Sequence, residues 1–294
     1  MEDLEKMKIS KASELVSNSK LPSLPEAFFE LKTAINSNTT DRKRVSNILM
    51  RDPVMCARTL NLAKSAYFMS DRGIETIDDA VQTIGTDALT SIAMAVYVVD
   101  VFSKVDSEFV NMKLFWKQSI RMGIAARTIA RFCPLKQKHN YDHYYIAAML
   151  SRIGKLVLYI ESPDIADDII KLAHEEHVPK FIIEERLLGY THADLSHELL
   201  KLWGLSPSIY ESIPKYIYPD NVLEEYKETA YITHAAYYLQ FAWFHNDEGL
   251  YIEIPSKPNE IAYNYLGVET MDLIACTALI DAEFEFLCKC LNLN

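Results

Sequence analysis

Two cations stand three residues apart inside an otherwise apolar stretch, Tyr145 to Tyr159, which reads YIAAMLSRIGKLVLY. They are Arg152 and Lys155. An arginine beside a lysine at helical spacing suits forked recognition of a phosphate or other anion. The commoner role for such an arginine is a structural ion pair with an aspartate or glutamate, and that is the expectation for Arg152. Three pairs of histidines, His139 with His143, His174 with His177 and His192 with His197, are close enough in sequence to suggest a metal. No carboxylate or cysteine accompanies them at fitting spacing, so hydrogen-bonded or surface histidines are expected. Arg121, Arg127 and Arg131 could line one side of a helix and meet phosphate, but helix-surface salt bridging is the simpler expectation in an acidic chain. Tyr231, Tyr237, Tyr238, Phe241, Trp243 and Phe244 could stack a base, and are expected in core packing or at a partner interface.

The elements that must position these groups are helical. Ile146, Met149, Leu150, Ile153, Leu156, Val157 and Ile160 recur at helical spacing around nearly a whole turn, which predicts one central buried helix. Glycine is scarce, with 8 residues in 294, and β-branched alternation is rare. Thr76 with Asp79 and Thr191 with Asp194 have capping-box spacing, and Pro25, Pro53, Pro163 and Pro207 stand where first helical residues belong. The chain is therefore expected to be almost entirely helix. Phe28, Leu31 and Ile35 should face inward, then Val45, Ile48 and Leu49, then Cys56, Leu60 and Ala63. One stripe should run from Val81 through Ile84, Leu89 and Val96. Leu195, Leu199, Leu202 and Trp203 should form another, and Thr270 should open a closing helix. The polar stretch Asp100 to Glu108 suggests a boundary between two lobes.

Composition narrows the function classes. A hydrophobic fraction of 49% excludes a disordered chain, and a net charge of -11 argues against nonspecific nucleic-acid or anionic-membrane binding. Five scattered cysteines with no CxxC pair argue against a disulfide framework or structural zinc and fit a cytoplasmic protein. No signal peptide or membrane span is expected, since the longest apolar run, Ala88 to Val99, is too short.

Several motifs, taken in order, resemble one family. They are LPSLPE at Leu21 to Glu26, RDP at Arg51 to Pro53, TLNLAKSAYF at Thr59 to Phe68 and IETIDDAVQTIG at Ile74 to Gly85. Trp116 with Ser119, AMLSRIGKLVL and ERLLGYTHADLSHELLKLWGL at Glu185 to Leu205 follow. Together these resemble the HDOD (HD-related output domain) proteins, which look like HD metal-dependent phosphohydrolases turned into regulatory modules. The resemblance implies an all-α fold, an HD-domain-like helical bundle with an N-terminal helical lobe packed on it. The implied domains are an N-terminal helix over 1–20, a helical lobe over 21–105, an HD-like lobe over 106–235 and a C-terminal extension over 236–294. HD enzymes hold divalent ions on His and Asp ligands. Aligned on the motifs, the first ligand His falls on Gln118, the His-Asp pair on Ser151-Arg152, the later His-His pair on Tyr216-Ile217 and the last Asp near His234. Only His192 keeps a ligand-type residue. Lys64 is a further departure, standing where relatives carry Asn.

The vestigial-pocket candidates are thus Gln118, Ser151, Arg152, Lys155, His192, Tyr216 and His234, with no catalytic residue, metal or cofactor expected. The resemblance implies a stand-alone, non-catalytic bacterial signalling protein that binds a partner protein. Two alternatives accompany it, a divergent phosphohydrolase using His192, His234 and Asp194, and a nucleotide or other anion sensor at Arg152.

Overall fold

The computed structural model describes residues 11–21, 24–35, 42–63, 74–102, 111–136, 141–244, 259–269, 272 and 275–290. Among them there is no strand. The expectations placed on residues 1–10, Ile35's neighbours Asn36 to Asp41, Lys64, Ser103 to Val110, His139 and Thr270 lie outside the described residues. The side chains of Ile35, Ala63 and Ile84 do so as well.

Packing divides the chain into two compact units, one of residues 22–106, 112–117 and 278–294, the other of 1–21, 107–111 and 118–277. The first holds α1 (Glu26–Ile35), α2 (Arg42–Met50), α3 (Pro53–Ala63), α4 (Ile77–Ile84) and α5 (Thr86–Phe102). α5 packs on α1, α3 and α4, burying Leu89, Ala93 and Val96 among Phe28, Leu31, Met55 and Val81. Val45, Ile48 and Leu49 are buried on α2 as their spacing predicts. The Ser46 hydroxyl donates to Asp78 Oδ1 at 2.7 Å and ties α2 to α4.

Two expectations need correction here. The stripe from Val81 to Val96 is not one helix. Gly85, at φ +87, ends α4 before α5 begins, because that backbone conformation suits a residue without Cβ. Among the described side chains of α3, Met55 and Thr59 are buried, while Cys56 and Leu60 are only partly covered. An apolar count alone shifted that face by one residue, since Thr59 is as buried as any aliphatic neighbour. Local start signals fared better. Asp79 N–H donates to Thr76 Oγ1 and Thr76 N–H to Asp79 Oδ2, forming the capping box, and Asp52 Oδ1 accepts from Met55 N–H at 3.1 Å.

The second unit contains α6 (Met112–Phe132) from Gln118 onward, α7 (Tyr141–Leu150), α8 (Gly154–Glu161), α9 (Pro163–Glu176), α10 (Lys180–Leu188) and α11 (His192–Leu202). The short α12 (Pro207–Tyr210), a 3₁₀ turn at Ile213–Tyr216, α13 (Lys227–Phe244) and α14 (Glu260–Leu266) follow. A further helix, α15 (Thr277–Cys290), belongs from Ala278 onward to the first unit. α8 packs on α11, and α13 packs on α7, α14 and the Ile213–Tyr216 turn.

The expected central helix is two helices, α7 and α8, joined by a tight turn at Ser151–Ile153. Its backbone bonds close over three residues, Ile153 to Leu150, Lys155 to Arg152 and Leu156 to Ile153, and Ser151 Oγ donates back to Ala148 O at 2.8 Å. The break has a tertiary cause. Gly154 lies so close to α11 that a Cβ there would sit 2.2 Å from His192 O and 2.5 Å from Ser196 N. Its N–H donates to Ser196 Oγ at 2.8 Å, and that hydroxyl donates to His192 O at 2.9 Å.

Candidate functional site

His192 opens α11, and its N-terminus is fixed by Asp194, whose Oδ2 accepts from the Thr191 N–H and hydroxyl at 2.7 and 2.8 Å. The preceding turn reverses the chain through Gly189, at φ +78, so that Glu184 on α10 faces the start of α11. Glu184 Oε2 accepts from the His192 N–H at 2.7 Å and from its Nδ1 at 2.6 Å. On the far side of the ring, Nε2 lies 2.6 Å from the Tyr216 hydroxyl. All three residues are buried.

The protons follow from the electrostatics. Burial drives His192 down to about 4, helped by the nearby Lys155 and Arg152 and opposed by Glu184. Burial raises Glu184, but the His192 hydrogen bonds and the Lys155 charge overcome it and leave its carboxyl at about 2. Burial holds Tyr216 well above the usual phenol range. At neutral pH the carboxylate is therefore ionised and the imidazole neutral, with its proton on Nδ1. The Tyr216 O–H donates to Nε2, the Nδ1–H donates to Glu184, and the contact between them is a charge-assisted hydrogen bond rather than an ion pair.

A second relay follows. His234 Nδ1 donates to the Tyr216 carbonyl at 2.7 Å, and its Nε2 accepts the Asn259 N–H at 3.1 Å. Burial lowers the His234 pKa, so this ring too is neutral with its proton on Nδ1. The lone pairs of both histidines that could ligate a metal are thus taken up by internal hydrogen bonds.

Both shifts have the same sign for stability. The unfolded state binds a proton more readily than folded His192 between pH 6.5 and about 4, and more readily than folded Glu184 between pH 4.5 and about 2. The stabilisation is complete above the upper window and lost as pH falls through each. Through these two groups the unfolding free energy from urea melts should fall as pH drops below 6.5, by up to about 1.4 kcal/mol per pH unit for each proton taken up, whereas the lowered Lys180 adds a rise with pH between about 8 and 10.5. His192→Gln should flatten the upper part of that fall, and a midpoint unchanged from pH 7 to 4 in the parent would contradict the assignment.

The other expected site residues gather at the same place. Arg152 Nη1 donates to Gln118 Oε1 at 2.9 Å, an amide carbonyl on α6. Lys155 is buried one turn further on, and burial with the Arg152 and Lys180 charges holds its pKa well below the usual lysine range. Lys180, the first residue of α10, is lowered to about 8 by burial and by Arg152. Ser151, Tyr216 and Ile217 are buried. Tyr237 packs edge-on against Tyr216 at 5.3 Å, so these tyrosines are core rather than a stacking platform.

Glu184, Lys180 and Tyr237 were not foreseen as site residues. Glu184 stands one position before the ERLLGYTH motif and reaches His192 across a helix end and a left-handed glycine, a relation that no helical spacing encodes. Two surface expectations also fail. Arg121 and Arg127 are buried, with Arg127 lying 4.9 Å over the Tyr145 ring, and only Arg131 of the three is exposed. Leu202, expected inward, is exposed at the last residue of α11, although it shares the face of Leu195 and Leu199.

The donor set does not fit a divalent metal. Among the described residues no three His, Cys, Asp or Glu side chains converge as ligands. His143 bonds Thr229 Oγ1 at 3.0 Å, His174 stacks on His177, and His197 Nδ1 lies 3.0 Å from Glu198 Oε1. Arg152 and Lys155 add cationic character near His192. Cys56, Cys133, Cys276 and Cys288 are free thiols, and no described helix is long and apolar enough to cross a membrane.

A bundle that is helical throughout the described residues defines the chain as an HD-like helical domain. It belongs to the HDOD domain family, whose sequence profile matches residues 21–217. Among solved structures it is similar to an HDOD domain protein of unknown function from Geobacter sulfurreducens, at 21% identity and TM-score 0.78, over 98% of this chain and 99% of that one. It is also similar to a protein of Shewanella amazonensis provisionally named a phosphohydrolase, at 25% identity and TM-score 0.75, over 96% and 98% of the two chains. A third, from Marinobacter aquaeolei and provisionally named a signal transduction protein, has 17% identity and TM-score 0.74, over 97% of this chain and 65% of that one. No curated protein matches the chain.

Proposed function

We propose that this protein is a non-catalytic, cytoplasmic signal-transduction module that acts by binding a partner protein, in motility, chemotaxis or cyclic-dinucleotide signalling. The observation that carries the reading is the closed hydrogen-bond chain Glu184–His192–Tyr216–His234–Asn259, which uses the nitrogen lone pairs a metal hydrolase would leave for its ion. Membership of a family of output domains supports the signalling role.

The competing reading is a divergent phosphohydrolase, favoured by the provisional name of the Shewanella neighbour. It would need His192, His234 and Asp194 on one ion. Two of those imidazoles hold internal partners, and the Asp194 carboxylate is engaged at the α11 cap. The test is metal content on protein purified without chelator, with a phosphodiesterase assay on cyclic dinucleotides. Substoichiometric metal and no turnover are expected. Stoichiometric metal with turnover abolished in His192→Ala would overturn the proposal.

A further inference from the structure

We infer that residues 11–21 are a displaceable strap, a short helix that fills in cis an apolar seat on the second unit, and that this seat is a docking site for an amphipathic helix of a partner protein. The inference concerns a surface of that unit and is independent of whether the Glu184–His192 chain is catalytic.

Residues 11–17 are helical. Their last turn is closed by Asn18 N–H to Glu14 O at 3.1 Å, by Ser19 N–H to Val16 O at 3.2 Å and by the Ser19 hydroxyl to the same carbonyl at 2.8 Å. Ala12 and Val16, four positions apart and therefore on one face, are only 0% and 3% exposed, with Leu15 half-buried beside them. Lys11, Glu14, Ser17 and Asn18 face solvent. Residues 11–21 pack with 107–111 and 118–277, so the atoms that enclose Ala12 and Val16 belong to the second unit. A polar tie follows where the chain leaves. Lys20 N–H donates to Glu161 Oε1 at 2.5 Å, and Glu161 is the last residue of α8, which places the seat beside that helix end.

Such a helix does not hold itself. About two turns are too few to be stable in water, so the order of residues 11–17 comes from the seat. Two fully buried apolar side chains, one of them alanine, are a small anchor beside α8, which buries Leu156, Val157 and Leu158 together. The family's sequence profile begins at residue 21, so the strap lies outside the segment that defines the domain. From residue 22 the chain packs with the other unit, and lifting the strap interrupts no helix of the second. A segment held this lightly opens at lower free energy than the core around it. The seat is built from the second unit's own residues and persists when the strap leaves. Its occupant shows what it accepts, a helix with a small side chain where Ala12 fits, an aliphatic one four positions on, and polar residues elsewhere.

The experiment is amide hydrogen exchange on the full chain, followed by titration with a labelled peptide of residues 11–21 that stands in for the partner helix. Amides of residues 16–20 should exchange about 100-fold faster than those of α8, or more. Glu161→Ala removes only the tie, at a half-buried helix end, and should speed them a further several-fold. Val16→Asp should bring them to the rate of an unstructured peptide while leaving α8 protected and Tm within about 2 °C of the parent's. The peptide should then bind the Val16→Asp chain about tenfold more tightly than the parent, whose seat is filled, and a peptide carrying the same change should bind neither. A Val16→Asp chain that does not fold, or that loses the protection of α8, would make the helix part of the core and overturn the proposal. Unchanged exchange at 16–20 in both variants, equal binding to parent and variant, or no binding to the variant at about 2 mM peptide would do the same.

Discussion

Gly154→Ala should destabilise the protein by roughly 3 kcal/mol or more, beyond the usual cost of an added methyl in a packed core. The new Cβ would meet His192 O at 2.2 Å, Ser196 N at 2.5 Å and Leu195 Cβ at 2.7 Å. Two of these atoms are backbone of α11, so no side-chain rotation relieves the overlap and the α8–α11 interface must open. Opening it also strains the bonds from Gly154 to Ser196 and from Ser196 to His192 O. Urea unfolding monitored by helical circular dichroism measures the loss, and two other glycines calibrate it. Gly123→Ala meets the Tyr145 ring and carbonyl at 3.0 Å, where a few tenths of an ångström of adjustment suffice, so about 1–2 kcal/mol is expected. Gly85→Ala meets nothing within 4 Å but must hold φ +87 with ψ 160, a region essentially reserved for glycine, at about 1–3 kcal/mol. The largest loss at Gly154 is the prediction. A Gly154→Ala loss no larger than that of Gly85→Ala would show that the two helices are not in this contact.

The same glycine shows where sequence stops informing structure. Helix starts could be read because Thr76 with Asp79, and Thr191 with Asp194, satisfy backbone donors within one turn, and such bonds depend on little outside the segment. The break between α7 and α8 could not be read, because the apolar period continues across Ser151–Ile153 and its cause, α11, lies about forty residues away. Arg121 and Arg127 were misplaced for a related reason. A guanidinium reads as surface until a ring such as Tyr145 supplies it with an interior partner. At the candidate site the family motifs located Gln118, Ser151, Arg152, His192 and Tyr216, whereas Glu184, the anion that organises them, lay outside every quoted motif.

Removing that anion is the second large effect. Glu184→Gln keeps the shape of the side chain, yet the amide oxygen carries no charge to receive the His192 N–H and Nδ1–H. Lys155 and Lys180 would then lose the attraction of that carboxylate while keeping the repulsion from Arg152. Taking one partner from a buried charge cluster costs about 3–5 kcal/mol, and that is the expected loss. Lys155→Met should behave in the opposite way. It exchanges a buried ammonium, already held far below its ordinary pKa, for an apolar chain of similar length, so its cost should be under about 1 kcal/mol. In the double variant the loss should be smaller than the sum of the single losses, by an interaction of about 1–3 kcal/mol. Additivity in that cycle would mean that Glu184 acts on His192 alone, and that the cations are balanced from elsewhere.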